Sequence, residues 1–471
     1  MFSPKYIRFL SFLLFILVLS NCQKDENTDP VIPIPTPPDS IFNIQKVPEI
    51  QLEFTVEEWN KLLSYYDQNP KNEKKVVAKY TFTVDNQTIT LDSIGLKLRG
   101  NTSRRRPEGF TGQMHQSVNP DWHHCHFGLD FDKFKENQKF KGISKINLKW
   151  FKDDANYVRE IYSYDLFKRF GVWTAPRASY CRLTIKVQGN TTPAYYGVYT
   201  MLESVDEDYI KYRNSKWSEN GFMWKGGWAN SYNADFVQTT SIGVEDVKLN
   251  PANSLYYAYD LKTREEELTI GKAELITFIQ DLNSKTGDDF KNWITTRMDI
   301  NLFLKTYATN VMLGMWDDYW INGNNFYFYM SPDNQVYFIP YDYDNTLGTS
   351  YLINNSGTQN PLTWGPQSGR PLINKILSIP EYQTLYKNYI LELSQSQSDL
   401  FDPDKSLTRI VQWQSMIGSY ISNDTGEDMM ILDQPASWGN CSFYRLQSGN
   451  DAGGTSGNAN YFRSRIASIP F

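Results

Sequence analysis

Two hydrophobic periods succeed each other along this chain, and their order limits the fold more than any other feature. Apolar residues alternate over 49–54, 79–91, 94–98, 126–131, 145–151, 180–187 and 195–202, which reads as a series of strands. An Asn86-Gln87 turn is expected to break the second of these. One helix interrupts them over 156–170, where Val158, Ile161, Tyr162 and Leu166 recur at helical spacing and Gly171 supplies a stop. Helical spacing returns over 273–282, 299–313, 372–377, 382–393 and 406–421. Strands first and helices after predict an α+β protein with a strand-rich front and a helical back.

The chain has 471 residues, enough for a large core. Lys and Arg number 47 against 53 Asp and Glu, a net charge of −6. That balance weighs against a general nucleic-acid binder, which needs a basic surface to neutralise phosphates. The one long apolar run excludes a polytopic membrane protein. It covers residues 9–19, follows Lys5 and Arg8, and has signal-peptide length. It leads into Leu19-Ser20-Asn21-Cys22, which resembles a bacterial lipobox, with Cys22 as the lipidated residue. Gln23-Lys24-Asp25-Glu26 is similar to the export tag of surface lipoproteins in Bacteroidetes-type bacteria. Five prolines between Pro30 and Pro38 then predict an extended tether. The expected division is a signal peptide over 1–21, a tether over 22–44, a folded domain over 45–425 and a C-terminal extension over 426–471. The expected location is the outer membrane, at the cell surface. Cys125, Cys181 and Cys441 remain, an odd number that allows one bridge at most.

The strongest chemical signal lies between Trp316 and Asp344. Asn325-Phe326-Tyr327-Phe328-Tyr329 and Val336-Tyr337-Phe338-Ile339-Pro340 flank the turn residues Ser331-Pro332-Asp333-Asn334. An antiparallel hairpin sets the start of its first strand beside the end of its second. Asn325 is therefore expected near Asp342, with Asp344 just beyond and Asp317 or Asp318 entering from the preceding loop. Carboxylates and an amide at one hairpin end suit Mg²⁺, which binds through one or two carboxylates together with phosphate oxygens. They also suit Ca²⁺, or an acid–base pair for sugar hydrolysis. His124 and His126 share one strand face, and zinc is a further option there.

These segments resemble the CotH kinase-like family. The Trp316-Asp317 pair, the Asn325 strand and Phe338-Ile339-Pro340-Tyr341-Asp342-Tyr343-Asp344 follow that family's order. Arg99-Gly100-Asn101-Thr102-Ser103-Arg104, Arg159-Glu160 with Ala175-Pro176-Arg177, Gly197-Val198-Tyr199 with Glu203-Ser204-Val205-Asp206, Lys225 and Leu261-Lys262-Thr263 are similar to further motifs. The resemblance implies an atypical protein-kinase-like two-lobed fold, with a strand-rich N-terminal lobe, a helical C-terminal lobe, and ATP and Mg²⁺ (or Mn²⁺) between them. It implies Asp318, or alternatively Asp317, as the catalytic residue. It implies Asn325, Asp342 and Asp344 as metal ligands. Arg99, Ser103, Arg104, Lys149, Glu160, Glu203 and Tyr341 are implied at the nucleotide. Lys145 and Lys149 share a strand face before the helix of Glu160, so a strand lysine would pair with that glutamate, and Tyr341 would stack on adenine. The implied partner is an extracytoplasmic protein carrying the acceptor hydroxyl. A catalytically inactive scaffold or adhesion module on the same fold is the alternative, and a carbohydrate-active enzyme is the third.

Overall fold

The computed structural model describes residues 40–109, 122–189, 193–349, 356–421, 443, 446 and 461–471. Cys22, Cys441 and the signal and tether segments up to residue 39 lie outside these. Among the described residues no helix is long and apolar enough to cross a membrane.

The front of the chain closes into a barrel. Its strands are β1 (Glu49–Phe54), β2 (Val76–Val84), β3 (Gln87–Arg99), β4 (His126–Asp130), β5 (Lys145–Trp150), β6 (Ala178–Val187) and β7 (Ala194–Glu203). Their order around the barrel is β1-β2-β3-β4-β5-β7-β6. All neighbours are antiparallel except β1 and β6, which run parallel from Glu49 opposite Arg182 to Phe54 opposite Val187. The alternating apolar residues point inward, so Ile50, Leu52, Ala78, Tyr80, Leu96, Leu148 and Leu183 form one core. Ile41 and Phe42 are buried in that same core, so chain within the expected tether already packs.

Three local differences from the sequence reading have simple causes. The first turn is Asp85-Asn86 rather than Asn86-Gln87, since both take positive φ (51° and 62°) and Val84 pairs with Gln87. The expected strands over 79–91 and 94–98 join into β2 and one long β3, with a break at Ser93 (φ 57°). A helix, α1 (Val56–Gln68), follows β1 unannounced, capped where the Thr55 hydroxyl accepts from Glu58 N–H.

The barrel is interrupted by α2 (Arg159–Arg169) between β5 and β6. After β7 come α3 (Glu207–Lys211), β8 (Phe222–Gly226), the short hairpin β9 (Trp228–Ala229) and β10 (Tyr232–Asn233), β11 (Ile242–Gly243) and β12 (Tyr259–Leu261). Helices α4 (Leu268–Ser284), α5 (Gly287–Arg297), α6 (Ile300–Leu313) and α7 (Tyr319–Asn322) lead into β13 (Phe326–Met330) and β14 (Val336–Pro340). The last described helices are α8 (Pro371–Leu377), α9 (Pro380–Ser394), α10 (Pro403–Ile421) and α11 (Tyr461–Ala467). A second sheet, β11-β12-β8-β13-β14, lies among them, so the back is not purely helical. It shares a second hydrophobic core with α2, α6 and α9. Tyr461 and Phe462 are buried there, which places the end of the expected C-terminal extension inside the domain.

Candidate active site

The hairpin forms as its sequence requires. Phe326 pairs with Pro340 and Met330 with Val336, so Asn325 and Asp342 lie just beyond the paired end. Phe326 and Phe338 stack with centroids 5.1 Å apart on the core side. Asn325 (φ 52°) and Asp342 (φ 64°) both take left-handed backbone, a conformation Asn and Asp tolerate better than most residues. It turns the chain sharply out of each strand and holds both side chains at the sheet's end.

Asp342 meets the barrel at Lys149 on β5. The Lys149 ammonium lies 2.6 Å from Glu160 Oε1 and 3.5 Å from Asp344 Oδ2, and it donates to Asp342 Oδ1. Glu160 is set in the first turn of α2 by Asp154. That buried carboxylate accepts from the Val158 and Arg159 N–H groups (2.8 Å each) and binds the Arg159 guanidinium. Burial works against the Lys149 charge, but Asp342, Asp344 and Glu160 outweigh it and hold the ammonium well above its usual range. The carboxylates divide. Asp342 is lowered, because Lys149 overcomes its burial. Asp344 is pushed far up by burial and by the charges of Asp342 and Glu160, and Glu160 is raised by burial. One buried carboxylate, Glu160, and two partly exposed ones, Asp342 and Asp344, thus share one ammonium.

The two adjacent aspartates have different surroundings. Asp318 is buried as the cap of α7. Its Oδ1 accepts from Ile321 N–H (2.9 Å) and its Oδ2 from Asn310 Nδ2 (2.8 Å), while Asn310 accepts from the Tyr343 hydroxyl (2.8 Å). Burial raises its carboxyl to about 7. Asp317 is only half-buried. It accepts from Asn322 Nδ2 (2.7 Å), Asn324 Nδ2 (3.3 Å) and Asn325 Nδ2 (2.9 Å). Burial and the Asp342 charge raise it. Asp317, Asn325 and Asp342 are therefore neighbours, whereas Asp318 is locked into the support beneath them.

The remaining expected site residues separate. Arg99 donates to the Tyr341 hydroxyl (2.7 Å), and its Nη1 is buried with no partner, an unused donor beside Asp342. Tyr341 is buried edge-on to Tyr327. Arg104 is bound to Gly100 O, Asn72 O, Pro70 O and Glu73. The Ser103 hydroxyl lies against Gly100, where a Cβ would come within 2.3 Å of it. Glu203 bonds to Arg177 and Arg213 at 2.7 to 3.1 Å, away from the carboxylate cluster. The zinc option dissolves: His124 bonds to Tyr196 O and stacks on Trp150, while His126 Nδ1 accepts from Trp150 N–H. Cys181 is a buried free thiol, so no bridge joins it to Cys125.

Sequence reasoning missed Lys97. It shares the β3 face of Arg99, pairs with Glu73, and is lowered to about 7 by burial and then by Lys262, Arg99, Arg104 and Lys225. Cations from β3, β8 and β12 therefore gather near the carboxylate cluster. The strand period that puts residues 97 and 99 on one face was the available signal. A cavity of 360 Å³ lies elsewhere, lined by Trp173, Tyr212 and Lys168 among others. It reaches Asp342 through Tyr164, whose hydroxyl accepts from Asp342 N–H at 3.1 Å, and it is also lined by Arg177 and Arg213, the partners of Glu203.

The family described as CotH kinase protein matches residues 98–440. The chain belongs to the CotH family. Inner spore coat protein H of Bacillus subtilis is 27% identical over 264 residues, 56% of this chain and 66% of that protein. Spore coat protein homolog 1 of Rhizopus delemar is 23% identical over 271 residues, 53% of this chain and 39% of that protein. Invasin CotH7 of the same fungus is 23% identical over 259 residues, 51% and 38% of the two chains. The matches thus span between about two fifths and two thirds of these relatives. The CotH match begins at the end of β3, so β1, α1 and β2 complete the barrel ahead of it.

The donor set can be tested against a divalent cation. Among the described residues no three carboxylate, imidazole or thiolate side chains form a ready-made metal cage. Asp342 and Asp344 supply oxygen donors of the kind a hard cation takes, and both are engaged by Lys149. Mg²⁺ takes few protein ligands and completes its shell with water and phosphate oxygens.

Proposed function

We propose that this CotH protein is a lipid-anchored, extracytoplasmic kinase of atypical two-lobed protein-kinase-like architecture. It transfers the γ-phosphoryl group of ATP to a hydroxyl of an extracytoplasmic protein. The observation that carries this reading is the Lys149 ammonium, shared by Glu160 from a helix and Asp342 from beyond a hairpin. A strand lysine paired with a helix glutamate beside a metal-binding aspartate is the arrangement phosphoryl transfer uses in protein kinases. Two hydrophobic cores, one in the barrel and one behind it, support the two-lobed reading. Cys22 is the proposed lipid attachment, at the cell-surface side of the outer membrane.

The residues take these roles. Lys149, oriented by Glu160, neutralises phosphate oxygens. The unpartnered Arg99 donor and the nearby Lys225 and Lys262 add positive charge. Tyr341 forms a wall of the nucleotide pocket. Asp342, with Asn325 and Asp344, would hold Mg²⁺ or Mn²⁺, which supplies charge neutralisation at the transferred group. Asp317, rather than Asp318, faces the acceptor. The acceptor hydroxyl gives its proton to Asp317, and its oxygen bonds to the γ-phosphorus. The bond from that phosphorus to the bridging oxygen breaks, and ADP leaves. A carboxyl raised by burial and by Asp342 suits a base near neutral pH. Asp318 positions the loop through α7 and Asn310.

A second reading, a non-catalytic surface scaffold, draws support from Arg104 and Glu203, which both use their polar groups on protein partners. The name Invasin of one fungal relative accords with it. Calorimetry with Mg²⁺-ATP separates the two. Binding by the wild type that is lost in Lys149→Ala supports the kinase; no binding at millimolar ATP leaves the scaffold.

A further inference from the structure

The β9–β10 hairpin is short and exposed, yet it is tied to the loop that carries Asp317. Asn230 (φ 51°) and Ser231 (φ 72°) make the two-residue turn, and Trp228 pairs with Asn233. Cross-strand partners share a face. Both reach the same atom: Trp228 Nε1 donates to Asn322 O at 2.9 Å and Asn233 Nδ2 at 3.3 Å. Asn322 in turn donates to Asp317 at 2.7 Å. The root of the hairpin is held as well, since Ala234 N–H donates to Gly227 O and Gly323 O at 3.1 Å each.

Trp228 is nonetheless 54% exposed. Its one polar atom is used on the loop, so the indole is fixed in orientation while much of its ring meets water. A large apolar ring held rigid beside the Asp317 loop is prepared for stacking, because binding then costs little side-chain entropy. Tyr232 is also exposed, at 40%, but it pairs with Ala229 and so lies on the opposite face.

Resting on the kinase reading above, we propose that Trp228 is the acceptor-specificity residue, stacking an aromatic or proline ring of the substrate polypeptide next to its phosphorylated hydroxyl. The indole nitrogen is separated from the Asp317 carboxylate by one asparagine and two hydrogen bonds. That is roughly 10 Å, or two to three residues of extended chain at about 3.3 Å each. The ring therefore belongs two or three residues from the target Ser or Thr. The polypeptide follows from the kinase reading above, and a sugar acceptor at the same spacing is an outcome the test separates.

The test is phosphate transfer from Mg²⁺-ATP to a serine peptide library in which one Phe or Pro is moved through each position. The wild type should prefer the ring two or three residues from serine. Trp228→Ala should lower kcat/KM for that peptide about fivefold to tenfold through KM, with the KM for ATP unchanged. Trp228→Phe should recover only part of the loss, since it keeps a ring but not the hydrogen bond that fixes it. Tyr232→Ala should match the wild type. Equal use of ring-free peptides, an unaffected Trp228→Ala, or transfer to oligosaccharides in place of peptides would each overturn the proposal. Binding of Mg²⁺-ATP with no transfer to any ring-bearing peptide overturns this inference alone; absence of nucleotide binding overturns the kinase reading with it.

Discussion

Two buried ionic clusters sit on this barrel, and they are built to opposite rules. At the end of β7, Glu203 is enclosed by two guanidinium groups, Arg177 and Arg213, with bonds of 2.7 to 3.1 Å. Burial alone would raise its carboxyl, yet the two cations hold it below the ordinary range. At β5, Lys149 is enclosed by three carboxylates, and one of them, Asp344, is driven far above the ordinary range. The first cluster is satisfied by the protein itself. The second gathers three carboxylates around one ammonium, with the Arg99 guanidinium beside Asp342. Carboxyls perturbed so strongly by burial and by one another mark a candidate functional site.

The comparison is broken most severely at Glu203. Glu203→Ala leaves buried Arg213 without its carboxylate and should cost about 3–5 kcal/mol in denaturant unfolding. A cost below about 1 kcal/mol would show that this cluster is no more than a surface pairing. The contrasting substitution is Asp344→Asn. It relieves like-charge crowding, so stability without metal should stay level or rise by about 1 kcal/mol. Phosphoryl transfer should fall about 100-fold or more. A clear loss of stability in Asp344→Asn would mean that Asp344 supports Lys149 as an ionised partner.

The smallest effect is a pH slope. The Asp318 carboxyl is raised to about 7 in the fold and lies near 4 when unfolded. Between those values the folded state holds a proton that the unfolded state has lost. Stability from this group is therefore greatest below about pH 4 and falls as pH rises toward 7. Asp206, the cap of α3, is also raised to about 7 and adds a slope of the same sign. Asp318→Asn should remove one proton's share of the decline in unfolding free energy between about pH 4 and 7. An unchanged slope would show that Asp318 is ionised throughout.

What the sequence disclosed follows from how local each signal is. The hairpin from Phe326 to Pro340 was legible because its period, turn and pairing lie within 15 residues. It set Asn325 and Asp342 at one end correctly. A strand lysine facing Glu160 was expected from the family resemblance, but Lys145 and Lys149 share a face, and only the structure shows Lys149 at Glu160 and Lys145 at Asp206 and Glu207. Barrel closure through parallel β1 and β6 was not legible, since it depends on a register between segments 133 residues apart. β8 and β12 were missed because they are short and buried on both faces, which erases alternation. α1 was legible in principle, from Thr55 with Glu58 three residues on, and was passed over. The choice between Asp317 and Asp318 had no sequence signal. They are neighbours in an irregular loop, and only the position of Asn310 and α7 shows which is enclosed.

The central claim is that the Lys149 cluster and Asp317 carry out phosphoryl transfer. The most direct measurement is ATP-dependent phosphate incorporation into protein acceptors with Mg²⁺ or Mn²⁺, comparing wild type with Asp342→Asn and Asp317→Asn. The account predicts incorporation by the wild type that depends on the metal and falls at least about 100-fold in both variants. Undiminished incorporation in both variants, or none in a wild type that also fails to bind ATP, would contradict it.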